Sequence, residues 1–248
     1  MTRPRHVVCV LGDWKSFDDV ERIVREVGGE GFALDDDYSM LGADPRMTRS
    51  FEASRDRVTP SFTDDDWAAV KAHEAVAYVL SPPLEPAEAK AISGRMLATT
   101  AALLQAGGTA AKGESAGIAH GRSRWLGLAE RYASGDALTK AAVLSAAWVR
   151  RPLGDDDRGV FYSCGMHLLG EPDVEIPDAA EPMEAVTWMD ALCIYLLAEK
   201  PEGGLREGET FRPTEEHDRR VLRHRACDRY EEDDFFWNPY GYWTLGAP

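Results

Sequence analysis

Long apolar runs are missing from this chain. The longest, residues 191–198, is eight residues, against the roughly 20 that a membrane-crossing helix needs. The run at residues 7–11 stops at Gly12 and Asp13, too short for the core of a signal peptide. These absences predict a cytoplasmic protein with no membrane partner. Basic charge is also in deficit, because 28 Lys and Arg against 43 Asp and Glu leave a formal charge of −15. Such a field opposes nucleic acid and anionic lipid and favours a basic protein partner, a cation, or plain solubility. Cysteine is scarce: Cys9, Cys164, Cys193 and Cys227 lie far apart with no C-x-x-C pair. That pattern reads as reduced thiols packed as small hydrophobes in a reducing cytosol. Six histidines avoid the spacing of a zinc site, so no metal is expected. Around Gly12 the glycines of both the dinucleotide fingerprint and the Walker loop are absent, and Asp13 would repel a phosphate. No nucleotide or other cofactor is therefore expected.

With 248 residues, 44% of them hydrophobic, the chain can bury a sizeable core. Residues 6–11 and 75–80 are short, β-branched apolar runs of the kind covered on both faces of a sheet. Between them Ser16 and Asp19 have capping-box spacing, and Phe17, Val20, Val24 and Val27 share a helical face that ends at Gly28 and Gly29. Thr63 precedes Asp64, Asp65 and Asp66, which suit the N-terminal turn of a helix better than a metal site, since successive helical residues point apart. Pro86 opens a helix with the stripe Ile92, Met96, Leu103 and Leu104. Residues 159–169 and 172–176 read as strands, 183–199 as a nearly all-round buried helix, and the stretch from Glu209 onward as strands again. Residues 142–149 fit helix or strand, and 35–59 show no period. The expected class is α/β (α+β), a mixed-sheet two-layer sandwich. It is either one globular domain over 1–248 or two similar-sized halves with a soft boundary near 151–158.

The stretch 109–131 crowds polar residues with Gly113, Gly117 and Gly121 four apart. On a helix those glycines would make one smooth face; in a loop they would bring backbone amides close to a ligand. Glu114 and His120 would serve as acid and base there, with Lys112 or Arg124 holding an anion. The commoner role of such residues is structural, a Glu–Lys pair locking a turn and a histidine capping a helix. Strand alternation puts Ser163 and His167 on one face and Cys164 on the other, so a Cys164–His167 dyad fails, and a serine nucleophile lacks an orienting carboxylate. The same period sends Val174 and Ile176 inward and Asp173 and Glu175 outward, where they would meet solvent, a cation or a basic partner. Arg219, Arg220, Arg223, Arg225 and Arg229 are hemmed by Glu215, Glu216 and 231–234, which points to internal compensation in place of nucleic-acid contact. Six aromatics, including Phe235, Phe236, Trp237 and Tyr240, crowd residues 235–243 around Asn238-Pro239. They would plug the core or a partner's groove.

At Gly165-Met166, the turn Gly170-Glu171-Pro172-Asp173, the helix over 183–199 and Gly208, the order of features resembles the uncharacterised bacterial family named domain of unknown function 4261. The resemblance covers mainly residues 159–213. It implies a cytosolic bacterial α/β protein without established catalysis and carries no site residues across. The leading expectation is an accessory or immunity-type protein that binds a basic partner through its acidic surface and aromatic segment. The alternatives are an enzyme for a small anionic substrate around Lys112, Glu114, His120 and Arg124, and a structural homodimer completed by the aromatic tail.

Overall fold

The first sheet is built around a strand covered on both faces from Val8 onward. In the computed structural model, which describes residues 3–55, 60–152, 159–177, 181–199 and 203–247, β1 (Val7–Gly12) is flanked on both sides. Its neighbours are β4 (Ala75–Leu80) and β5 (Gly108–Gly113), beyond which lie β2 (Ala33–Leu34) and β3 (Met40–Leu41) on β4 and β6 (Ile118–His120) on β5. Every pairing is antiparallel. Val8 and Val10 enter the main core, whereas Cys9 and Leu11 enter a smaller one with Met47, Phe51 and Val70. Two covered faces explain the continuous apolar run in the sequence.

The main face carries α1 (Asp18–Ile23), continued by a π turn over Val24–Gly28. The same face carries α4 (Pro86–Gln105), α5 (Arg122–Ser134) and α6 (Ala137–Trp148). The opposite face carries the short α2 (Met47–Arg55) and α3 (Asp64–Lys71). Thr63 caps α3 by accepting from the Asp66 amide, and the Asp66 carboxylate accepts in return from the Thr63 amide. Asp66 also accepts from the Arg122 amide at 3.1 Å, so the acidic turn ties α3 to the start of α5.

A second, mixed sheet follows in the order β7-β8-β11-β10-β9: β7 (Phe161–Tyr162), β8 (Asp173–Ile176), β9 (Thr210–Phe211), β10 (Arg220–Arg225) and β11 (Tyr242–Gly246). The β8–β11 pair is parallel. Helix α7 (Pro182–Ala198) packs on this sheet and against α6. Val174, Ile176, Leu222 and Leu245 therefore share one apolar cluster with Val8 and Trp148. The chain is an α/β protein with a helical layer on each sheet, and the two layers meet at α6 and α7.

Several local expectations are corrected. Phe17, not Ser16, precedes α1, and no side chain caps that helix. The unassigned stretch 35–59 contains β3 and all of α2. Residues 142–149 belong mainly to helix α6. Gly113 and Gly117 lie in a β-hairpin, with Gly117 at φ 61° in its turn, and Gly121 precedes α5, so the helical face does not form. The strand β7 ends at Tyr162, Cys164 keeps a single antiparallel bridge to Arg150, and Gly165, at φ 131°, turns the chain into a 3-10 segment over Met166–Leu169. A Cβ at Gly165 would sit 2.1 Å from the Trp148 carbonyl oxygen. Residues 153–158, the greater part of the expected soft boundary, lie outside the described residues.

Candidate binding cleft

Helices α2 and α3 cover Cys9, Leu11 and Val76 but stop short of the other end of that face. There Val7, Tyr78 and Leu80 form the floor of a cleft of about 630 Å³. Its walls come from four separate segments: Asp35 and Tyr38 beside β2, Met47 and Ser50 on α2, Glu114 in the β5–β6 turn, and Phe235 from the C-terminal segment. Arg5 and Arg46 complete the lining. A volume in this range matches sites that take a small ligand or a few side chains.

Lys112 lies behind this wall and is only 3% exposed. Its ammonium is 2.9 Å from Glu114 Oε2 and donates to Ser50 Oγ at 2.5 Å. A buried lysine is tolerated only when paired in this way. Burial pushes the Cys9 thiol up to about 12, with the Glu114 carboxylate adding to the effect. Burial likewise raises Tyr78, so its phenol stays protonated. The site therefore presents neutral aromatic surface with charges pinned at its edges. Arg46 holds the buried Asp44 carboxyl below its ordinary range through a two-armed contact, with Nη2–Oδ2 at 2.7 Å. Arg5 donates to the Ser81 carbonyl at 2.7 and 3.1 Å.

The expected acid–base cluster does not assemble. Ala111 pairs with His120 and Lys112 with Ala119, and successive strand residues face opposite ways. Lys112 and Glu114 thus lie on the cleft's side of the sheet while His120 points into the main core beside Trp125, at 4.7 Å between ring centroids. Burial and the neighbouring Arg124 hold His120 down at about 4. His167 sits in the 3-10 segment, held at about 4 by burial, near the backbone of Ser115 and Phe235 but without a hydrogen bond of ordinary geometry. His6 joins this buried group at about 3, from burial and then His167, with Nε2 2.7 Å from Ser93 Oγ. Ser163 is not a nucleophile partnered by His167, because its hydroxyl donates to Asp173 Oδ1 at 2.9 Å and accepts from the Val174 amide at 2.8 Å.

Asp173 and Glu175 are buried, not outward, at 0% and 2% exposure. Strand β8 runs between β7 and β11, and the face away from α7 is roofed by the segment around Cys227, Tyr230 and Phe236. Asp173 accepts from Ser163, from the Met166 amide at 3.2 Å and from Asn238 Nδ2 at 2.7 Å, yet burial still pushes it up to about 7. Glu175 accepts from Arg229 Nη2 at 2.5 Å and from Thr244 Oγ1 at 2.8 Å. The Arg229 guanidinium lies 4.1 Å from the Tyr162 ring centroid and 5.5 Å from that of Tyr242. Sequence reading missed Asn238 and Arg150 as members of this network; Arg150 stacks on Phe236 at 4.0 Å and donates to the Tyr230 hydroxyl. The aromatic segment is accordingly divided. Phe236 is half-buried beneath Arg150, Phe235 is 56% exposed at the cleft, and Trp237 and Tyr240 line a separate hollow with Glu231 and Glu232.

No protein-family profile matches the chain, and no curated protein or solved structure shows significant similarity to it. Among the described residues no helix is long and apolar enough to cross a membrane.

Proposed function

We propose that this chain is an accessory or immunity-type protein of the bacterial cytosol that binds a basic segment of a partner protein at the cleft over Tyr78. One observation carries the reading: two aromatic side chains open to solvent, Tyr38 at 71% and Phe235 at 56%, border the cleft, and each is next in sequence to an acidic stretch, 35–37, whose Asp35 lines the cleft, and 231–234. Among the described residues none of those seven carboxylates has an ion-pair partner, whereas Asp44, Glu114, Glu175 and Glu184 are all matched by Arg or Lys. Unmatched acid around exposed aromatic surface gives fast encounter with a basic chain and anchors for it once bound. The small-anion enzyme is less well supported, since His120 and Arg124 are on the far side of the sheet from Lys112 and Glu114.

The test is titration of the full chain with a labelled peptide rich in Lys and Arg at two salt concentrations. Binding should weaken about tenfold from 50 to 200 mM salt, in line with charge-driven association, and Phe235→Ala should weaken it further at either salt. Binding that ignores both salt and Phe235 would overturn the reading.

A further inference from the structure

The chain contains its own example of how it holds an arginine. Arg229 is clasped by the Glu175 carboxylate and lies against the rings of Tyr162 and Tyr242. Carboxylate on one side and aromatic faces on the other suit the planar guanidinium, which stacks and hydrogen-bonds at once. The cleft repeats that composition at the surface. Tyr38 and Tyr78 stand edge to face with centroids 6.1 Å apart, Phe235 adds a third ring to the lining, and Asp35 and Glu114 supply carboxylates.

Acceptor capacity is left over at both carboxylates. Asp35 Oδ1 takes the Asp37 amide at 3.2 Å and Glu114 Oε2 takes Lys112; among the described residues the other oxygen of each has no partner. The two arginines in the lining do not fill this role: Arg5 is turned onto the Ser81 carbonyl and the charge of Arg46 is met by Asp44.

We propose that the occupant of the cleft is an arginine side chain of the partner, stacked between Tyr38 and Phe235 and hydrogen-bonded to Asp35 and Glu114. This rests on the proposed binding of a basic segment and specifies the residue at its centre. A lysine there would keep the charge but lose the planar stacking and the fork of donors. Citrulline would keep the shape and lose the charge.

The experiment uses the full chain and three labelled nonapeptides with identical Lys- and Ser-containing flanks, bearing arginine, lysine or citrulline at the centre. Arginine should bind best, with lysine weaker by about threefold or more and citrulline by about tenfold or more. Asp35→Asn and Phe235→Ala, both at solvent-accessible positions, should each shrink the arginine–citrulline difference to threefold or less. Equal affinity for the three peptides, with binding still salt-dependent, would overturn the arginine inference and leave the basic-partner reading standing. No binding by any of them would overturn both.

Discussion

Between pH 7 and pH 5 this protein should lose about 3 kcal/mol of folding stability, a figure set by four buried groups. His6, His120 and His167 are held at about 3, 4 and 4, against an ordinary 6.5, chiefly by burial. In the unfolded chain each takes up a proton as the pH falls through 6.5; in the fold each stays neutral down to about 4 or lower. A depressed histidine therefore costs almost nothing at pH 7 and about 2 kcal/mol at pH 5, at about 1.36 kcal/mol per pH unit. Asp173 works the other way. Its carboxyl is raised from 3.8 to about 7, so the fold takes up a proton that the unfolded chain refuses, and acidification returns about 2 kcal/mol. The histidines together remove about 5 to 6 kcal/mol over the interval, which leaves a net loss of about 3. Urea unfolding followed by tryptophan fluorescence at half-unit steps of pH measures this directly. His120→Phe, which keeps an aromatic edge against Trp125, should lessen the loss by about 2 kcal/mol, and Asp173→Asn should deepen it by a similar amount. A stability flat from pH 7 to 5, or a His120→Phe slope equal to that of the native chain, would refute the reasoning.

Other perturbations follow from single contacts. Lys112→Met removes the buried ammonium that pairs with Glu114 and donates to Ser50 and should cost about 3 kcal/mol in the same urea assay, while the double change Lys112→Met, Glu114→Gln should recover part of it. Gly165→Ala forces a side chain into the Trp148 carbonyl at a backbone angle that only glycine tolerates. It should cost about 3 kcal/mol or more, visible as a lower Tm.

The elements legible in the sequence are those whose burial is all or nothing. Residues 7–11 and 75–80 are apolar throughout because the sheet they form is covered on both faces along most of its length, and Pro86 marks a helix whose first turn needs no amide. Two-residue strands such as Met40–Leu41 carry too few side chains for a period to show. Alternation correctly separated Asp173 and Glu175 from Val174 and Ile176 but not the question of what lies over each face. The roof comes from a segment more than 50 residues later, and the Arg229 that neutralises Glu175 is 54 residues away. The Lys112–Glu114 pair was legible as a Glu–Lys pair locking a glycine-rich turn, because residues two apart are close whatever the rest of the chain does. His120 looked like their companion only because sequence distance cannot show that the hairpin puts it on the other face. The cleft itself was beyond sequence reading, since its walls come from four unconnected segments and its floor from β1 and β4. Phe235 alone among the aromatic tail residues reaches it.

The central claim, that a basic segment docks at the cleft over Tyr78, is tested most directly by amide hydrogen exchange of the full chain with and without saturating arginine-centred peptide. The account predicts added protection around 35–50, 76–80, 113–117 and 231–237, with the β9–β10 edge unchanged. Protection confined to that edge or to α7, with the cleft segments exchanging as in the free chain, would contradict it.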